Sequence, residues 1–397
     1  MTMRTRFLGC LIGLTHLMAA VPVSADDGFQ FSGFGTAALI SLDQNDVFFN
    51  HPGKQRERQR NDWLSASDNL LGLQGSLRLR DDTEATAQII VDEDHRNKVK
   101  PRIAWAFVRH DLKPDLAVRA GRLRAPFFMH SDSLNINFTH PWARPPVEVY
   151  GLNPVSDLDG IDMLYRMRVG GFNVEIQPYF GFGEVKFPDG SANLDRTGGL
   201  SINMSRGDLR LQFGHGEGGF DLHYGDPLYL GTRDYLLATG QSDVIYRLSG
   251  EDAHTSFSAF GFQWDRDAYQ LSGELAQRRA DKFLANAYAW YLSVAYQAGT
   301  LAPFAVIAQQ NTSSQPIPAN GDPVLAAYLA SRSANQESLA LGVRWDFEPS
   351  KALKLQWTRS WVEDDAWGAF FPMGNQGTRT PAGRRIDMLN LSLDFVF

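Results

Sequence analysis

The chain has 397 residues, of which 43% are hydrophobic, and its mean hydropathy is -0.28. After the N-terminal segment no run approaches the roughly 18 consecutive apolar residues of a spanning helix, so the composition excludes a helical membrane bundle. The formal net charge of -7 argues against nucleic acid as a partner.

The first 25 residues are predicted to be a signal peptide, 1–25. Arg4 and Arg6 begin it, a mostly apolar run follows, and Val23-Ser24-Ala25 supplies a small-residue cleavage site. A short buried helix is the alternative interpretation. Cys10 is the only cysteine, so the mature protein would have none and could not depend on disulfide bonds.

Sixteen β-strands are predicted from alternating apolar and polar residues. The alternation is clearest at the C-terminus, where Leu391, Leu393 and Phe395 are separated by Ser392 and Asp394. A half-buried strand of a soluble sheet has the same period, so one strand does not distinguish a soluble sheet from a membrane barrel. The repetition of the pattern along the chain favours the barrel. The predicted strands are 30–39, 70–80, 85–92, 102–111, 115–124, 161–168, 171–181, 198–204, 208–215, 256–265, 268–277, 287–297, 301–310, 337–347, 351–361 and 385–397.

The connections alternate in length, which favours a barrel over a soluble sandwich. Every second link is a short turn, and the links between these turns are nearly all longer and polar. Short turns at one rim and long loops at the other are typical of outer-membrane barrels, with the short turns in the periplasm. We therefore predict an all-β fold, a sixteen-stranded antiparallel transmembrane β-barrel over 26–397. The longest predicted links are 41–69, 221–255, 311–336 and 362–384.

The strand count, the terminal Phe397 and the long segment after the fifth strand together resemble the trimeric porins of Gram-negative outer membranes, including the phosphate-selective branch. The resemblance implies export through the periplasm to the outer membrane, contact with lipid and lipopolysaccharide, and a homotrimer. It also implies passive diffusion of small hydrophilic solutes, with no cofactor and no metal. The chain has no arginine ladder of constant spacing, so phosphate specificity is not predicted.

In porins the loop after the fifth strand folds inward as a constriction loop, and here that position is held by 126–158. The segment carries aromatic bulk and five prolines. Prolines suit a loop ordered against an inner wall, because they remove backbone freedom that ordering would otherwise cost. A loop packed outside the barrel, on itself or on a neighbouring subunit, is the alternative.

Charged residues are the candidates for lining the constriction. A basic wall facing an acidic loop would set up a transverse field, which filters ions by charge. Alternation separates Arg119 from Arg122 and Arg124, so a bulge near Gly121 would be needed to turn all three inward. Arg109 and Arg119 are assigned to the rim near a turn. The candidate constriction residues are Arg78, Arg102, Arg122, Arg124, Asp132, Arg144 and Glu148.

Other charged residues on polar strand faces are expected to point into the lumen, because lysine or arginine facing lipid at midplane would cost about 2 to 4 kcal/mol. A modest anion preference follows, weakened by inward acidic residues. The inward basic residues are Arg80, Arg166, Arg210, Arg344 and Lys354, and the inward acidic residues are Asp162, Glu175, Glu274, Asp346 and Asp394.

Other classes of function receive less support. No glycine pattern of a nucleophile elbow surrounds a serine, so an enzyme is not predicted. The acidic stretch 92–95 fits no calcium-loop signature. A structural or adhesive barrel with a closed lumen remains the alternative, with long loops such as 221–255 as its contact surface.

Overall fold

The computed structural model describes residues 28–49, 68–94, 98–153, 155–187, 190–314, 317–372 and 383–397. The predicted signal peptide lies outside these residues. The described part of the chain forms strands β1 (Phe29–Leu42), β2 (Val47–Phe49), β3 (Leu70–Arg80), β4 (Thr83–Glu93), β5 (Val99–Lys113), β6 (Leu116–Arg124), β7 (Asp157–Val169), β8 (Phe172–Phe187), β9 (Gly190–Arg206), β10 (Leu209–Tyr224), β11 (Ala253–Arg266), β12 (Tyr269–Ala280), β13 (Asn286–Tyr296), β14 (Leu301–Ser314), β15 (Gln336–Glu348), β16 (Lys351–Val362), β17 (Phe370–Pro372) and β18 (Arg384–Val396).

Four short α-helices and one 3-10 helix complete the described part of the chain. They are the 3-10 helix Asn137–Thr139 and the α-helices α1 (Val147–Tyr150), α2 (Pro227–Ala238), α3 (Ser242–Ser249) and α4 (Pro323–Ser331). No helix in the described ranges combines the length and the apolar character needed to cross a membrane.

All of the long strands join one closed antiparallel barrel, in which β1 pairs with β3 on one side and with β18 on the other. At the closure Gly33 and Phe397 exchange two backbone hydrogen bonds, each 2.9 Å long. Gly33 leaves room for the terminal ring, since a Cβ there would lie 2.2 Å from Cζ of Phe397. The sixteen predicted strands are all present, so the predicted fold class is confirmed.

The two faces of the wall have opposite character. Leu275 and Leu341 point outward and are 54% and 45% exposed, whereas Lys354 and Asp394 point inward and are 0% exposed. A soluble protein would bury the leucines and expose the charges. The reverse arrangement suits strands whose outer face meets lipid and whose inner face meets a polar interior.

The two rims of the barrel also differ. At the short-turn end the strands are joined by links of two to four residues, as the sequence predicted. At the long-loop end most links are much longer. One link departs from the prediction, because β8 continues to Phe187 and β9 begins at Gly190, well beyond the predicted strand ends at 181 and 198.

A helical cap, formed by α2, α3 and α4, packs at the long-loop end and was not predicted from the sequence. Leu236 and Leu325 are at most 1% exposed within its apolar cluster. The sequence signal that could have indicated α2 and α4 is a capping aspartate followed by proline at the first helical position. It occurs at Asp226 and again at Asp322. Beside the cap, β2 and β17 form a separate two-stranded sheet.

Candidate pore-constriction site

The connection between β6 and β7 packs against the inner face of the wall, and we call this connection, 125–156, the inner segment. Phe127 is 3% exposed, and its ring meets the ring of Phe257 on β11 edge-on at 5.5 Å. Trp142 is 1% exposed and meets Tyr291 on β13 at 5.7 Å. These contacts are made with wall residues that alternate with the outward apolar side chains, so the segment lies within the barrel.

Long basic side chains of the wall hold the backbone of the inner segment from one side. Lys354 of β16 donates from Nζ to the carbonyl oxygens of Asn137 and Trp142, at 2.5 and 3.1 Å. Arg344 of β15 donates to the carbonyl oxygen of Phe138 at 2.5 Å. Because buried carbonyl groups of an irregular segment need partners, these wall side chains replace the bonds that a helix or sheet would provide.

Other residues of the inner segment are held by β12. The Glu274 carboxylate accepts hydrogen bonds from the backbone N–H of Met129, at 2.8 Å, and from the hydroxyl of Tyr150. Arg278 donates to the carbonyl oxygen of Leu152 at 2.9 Å. The segment is therefore fastened at several points to one arc of the wall, from β12 to β16, which restricts how far it can move.

A charged cluster faces the open part of the lumen near the start of the inner segment. Asp132 is exposed, and its charge acts on both Arg119 and Arg124. Arg119 makes two hydrogen bonds, of 2.9 and 2.5 Å, to the carboxylate of Asp162 on β7. Arg124 donates to the carbonyl oxygen of Ser131 at 2.8 Å. Arg124 is 7% exposed, so the charges that a passing solute can contact here are those of Asp132 and of the partly exposed Arg119, while Arg124 acts on it through space.

Two histidines of the inner segment stack with a tryptophan and carry no charge at neutral pH. The His140 ring lies parallel to Trp142 with centroids 5.3 Å apart, and His130 meets His140 edge-on at 4.8 Å. Burial lowers the pKa of His130 to about 4 and holds the pKa of His140 well below its ordinary value. Both imidazoles are therefore neutral at pH 7, and they add packing rather than charge to the segment.

Solved structures with this architecture are outer-membrane channels and related barrels. An anion-selective porin from Comamonas acidovorans matches with a TM-score of 0.56 and 14% identity over 93% of this chain and 100% of that chain. The outer membrane channel DcaP of Acinetobacter baumannii matches with a TM-score of 0.58 and 10% identity over 94% and 99%. OmpT of Vibrio cholerae, in a structure described as a trimer form, matches with a TM-score of 0.51 and 10% identity over 93% and 99%.

The chain has the fold of the outer-membrane porins. No protein-family model and no curated protein matches the sequence. At these identities the similarity establishes the fold alone.

The geometry separates Arg122 from the other candidate constriction residues of the barrel. Arg122 binds Asp159 across β6 and β7 with two bonds of 2.7 Å, and the two side chains are 38% and 58% exposed. They share the outward face with Ile161, which is 59% exposed. Gly121 does have a positive φ of 135°, but the β6–β7 register runs through it without a shift, so Arg122 stays outward. Arg124 has the same parity, but it is the last residue of β6, and its buried side chain bonds to a backbone carbonyl group of the inner segment. The expectation that Arg122 faces the lumen is corrected.

Arg119, which the sequence assigned to the rim, is the residue that lies inside. It shares a face with its cross-strand partner Asp162, whose side chain is 1% exposed. Its guanidinium also lies over the Phe107 ring, 5.1 Å from the centroid. The sequence did contain a signal for the inward position of Arg119, because alternation already placed Asp162 on the inward face of the neighbouring strand.

Arg144 and Glu148 lie in the inner segment but serve to anchor it. Arg144 is 5% exposed, binds Asp68 and lies over the Phe49 ring at 4.0 Å. Glu148 is 2% exposed and accepts a hydrogen bond of 2.6 Å from Gln336. Burial raises the pKa of Glu148. Neither side chain is accessible to a passing solute.

The remaining two candidates, Arg102 and Arg78, lie in different places. Arg102 bonds to Asp92 at 3.3 to 3.4 Å, and its charge acts on Arg124, so it belongs near the charged cluster. Arg78 is exposed two residues before the end of β3, opposite Glu84. The described residues contain no group of three or more histidine, cysteine or acidic side chains arranged to hold a metal ion.

Proposed function

We propose that this chain is an outer-membrane porin through which small hydrophilic solutes diffuse passively. One observation carries the proposal: the inner segment is fastened to β12, β15 and β16 of the wall, yet it leaves the exposed charge of Asp132 close to Arg119 and Arg124. A barrel interior filled for stability alone would have no reason to keep exposed charges at this point.

We further propose that the charged cluster is the constriction and that it favours anions modestly. Arg119 is neutralised by Asp162, at 2.5 Å, and so contributes little net charge. Arg124 is buried and donates to a backbone carbonyl group instead of a carboxylate, so among the described residues its positive charge is opposed by Asp132 and Asp157 through space. Preorganised charges of this kind select ions by sign because they are fixed before the solute arrives.

The proposed setting is the outer membrane of a Gram-negative bacterium, reached by export through the periplasm, with the short-turn end toward the periplasm. The outward apolar face supports contact with lipid and lipopolysaccharide. A homotrimer is proposed because one similar structure is described as a trimer form. Nothing in the proposed mechanism requires catalysis, a cofactor or nucleic acid.

A structural or adhesive barrel is the second candidate, and the helical cap is the observation that favours it. Leu237 and Tyr246 of the cap are 58% and 56% exposed at the long-loop end, where a partner could reach them. Such a protein would keep its lumen closed. The porin proposal and this alternative therefore differ in whether ions pass through the folded barrel.

Single-channel recording separates the two candidates. Purified, refolded protein would be inserted into a planar bilayer under a salt gradient, with folding checked beforehand by heat-modifiable migration in gels. Stable conductance steps, grouped in threes, with an anion-selective reversal potential are expected. The absence of conductance from demonstrably folded barrel would overturn the porin proposal and favour the structural or adhesive alternative.

A further inference from the structure

A second polar site lies below the inner segment, toward the short-turn end of the barrel. An open cavity of ≈ 720 Å³ lies there between Met129 and His130 of the inner segment and the strands β7 to β11. This volume falls within the range of small-molecule sites. The wall side chains that alternation directs into it are Arg166, Arg168, Asn173, Glu175, Asn203, Ser205, Arg210 and Gln263.

Five of these side chains form one continuous row across the inner face. Cross-strand pairing matches Arg168 with Asn173, Asn173 with Ser205, Ser205 with Arg210, and Arg210 with Gln263. Neighbouring strands lie about 4.8 Å apart, so the backbones of Arg168 and Arg210 are about 14 Å apart along the row. The two long guanidinium side chains thus flank a short polar stretch made by an amide and a hydroxyl group.

Arg168 is the cation in this row that lacks a carboxylate partner among the described residues. Its Nε donates to the neutral amide oxygen of Asn173 at 2.9 Å. The other donors of the guanidinium make no bond within the described part of the chain, and a planar guanidinium favours two parallel bonds to an oxyanion. The charge of Arg168 and the donors on its terminal guanidinium nitrogens therefore remain available to bind an oxyanion.

The other charges around the cavity are balanced in pairs. Arg166 binds Glu175 at 2.8 Å, and Arg210 binds Asp265 at 2.9 Å. His130 at the roof is neutral at pH 7, since burial lowers its pKa to about 4. One uncompensated positive charge therefore remains among the described residues that line the cavity, and it is the charge of Arg168.

We propose that the row from Arg168 to Arg210 is a binding subsite for small organic anions, which dwell there after passing the inner segment. The carboxylate or phosphate of the solute binds the Arg168 guanidinium, while Asn173, Ser205 and Arg210 hydrogen-bond the rest of the molecule. The subsite rests on the proposed porin function and deepens it, because it names the class of solute that would be retained.

The test uses the full-length mature barrel in a planar bilayer and compares two variants. Arg168→Gln removes the charge that faces the cavity. Arg206→Gln is the matched control, because Arg206 also lies at the short-turn end, one residue from Ser205, but its guanidinium lies over the Phe172 ring at 5.6 Å and outside the cavity lining. The probes are succinate, glucose 6-phosphate and neutral glucose, each added to either side of the membrane.

Transient block of the single-channel current by succinate or by glucose 6-phosphate is expected, whereas glucose should not block. Losing a charge-assisted hydrogen bond should weaken the block by about tenfold in Arg168→Gln and leave it unchanged in Arg206→Gln. Block by one probe alone would assign the subsite to carboxylates or to phosphate esters. Equal block in the two variants, or no block in a conducting wild-type channel, would overturn the subsite while leaving the porin function standing.

Discussion

Lys354 of β16 and Asp394 of β18 form an ion pair of 2.9 Å on the inner wall, and both side chains are fully buried. The same ammonium group donates to the carbonyl oxygens of Asn137 and Trp142 in the inner segment. One lysine therefore joins two barrel strands to the loop that we propose as the constriction.

Replacing Lys354 with methionine should destabilise the barrel strongly. The substitution would leave the Asp394 carboxylate buried without its ammonium partner, and breaking a buried pair in this way costs about 3 to 5 kcal/mol. The free energy of unfolding, measured by urea titration in lipid vesicles, would test this. Lys351→Met on the same strand is the control, because the exposed pair of Lys351 with Glu348 should contribute less than about 1 kcal/mol. Equal losses in the two variants would contradict the anchoring role.

Arg119→Gln and Arg122→Gln should differ in their effect on ion selectivity. Arg119 faces inward and Arg122 faces outward, although both bind aspartates of β7. A unit charge about 8 Å from a passing ion in water contributes about 0.5 kcal/mol, so the permeability ratio should shift about twofold toward cations in Arg119→Gln alone. Reversal potentials in a salt gradient provide the measurement. A matching shift in Arg122→Gln would mean that the assignment of faces fails.

Asp132→Asn should shift selectivity in the other direction. The side chain is exposed within the barrel, and its charge opposes Arg124. Removing it should raise anion preference by about twofold, by the same Coulomb argument. The same reversal-potential measurement applies, with Asp208→Asn at the short-turn end as the control, since Asp208 lies in the turn before β10. An unchanged reversal potential in Asp132→Asn would remove this residue from the constriction.

Acid should loosen helix α4 through its capping residue. The Asp322 carboxylate accepts a hydrogen bond of 2.9 Å from Gln241 and bonds from the N–H groups of Val324 and Leu325. These bonds, that of Gln241 first, lower the pKa of Asp322 below its ordinary value of 3.8. A lowered pKa in the folded state means that the stabilisation is complete above pH 3.8 and is lost as the pH falls through the folded value.

Hydrogen-exchange protection factors of α4, corrected for the intrinsic exchange rate, would measure this effect. Wild-type protection should be constant between pH 7 and pH 5 and should fall only once the pH is below 3.8. Asp322→Ala should show weaker protection at pH 7, without the further loss in acid. The same acid-dependent loss in both proteins would show that another group is responsible.

The strands were predictable because alternation is a local property. The pattern along 70–80 predicted β3 with its observed bounds, and the short turn after it followed from the next few residues. The cap was missed for a different reason: its helices are short, and they are stabilised by packing on each other more than by their own pattern.

Alternation along the sequence by itself determined that this protein has sixteen strands, an apolar and a polar face on each, and loops of alternating length. Only the tertiary structure decided that Arg119 instead of Arg122 meets the lumen, that Lys354 holds the inner segment, and that Arg168 and Arg210 share one row. The physical reason is that a strand's period defines two faces without saying which one turns inward. That choice depends on pairing with neighbouring strands, which brings together residues far apart in the chain.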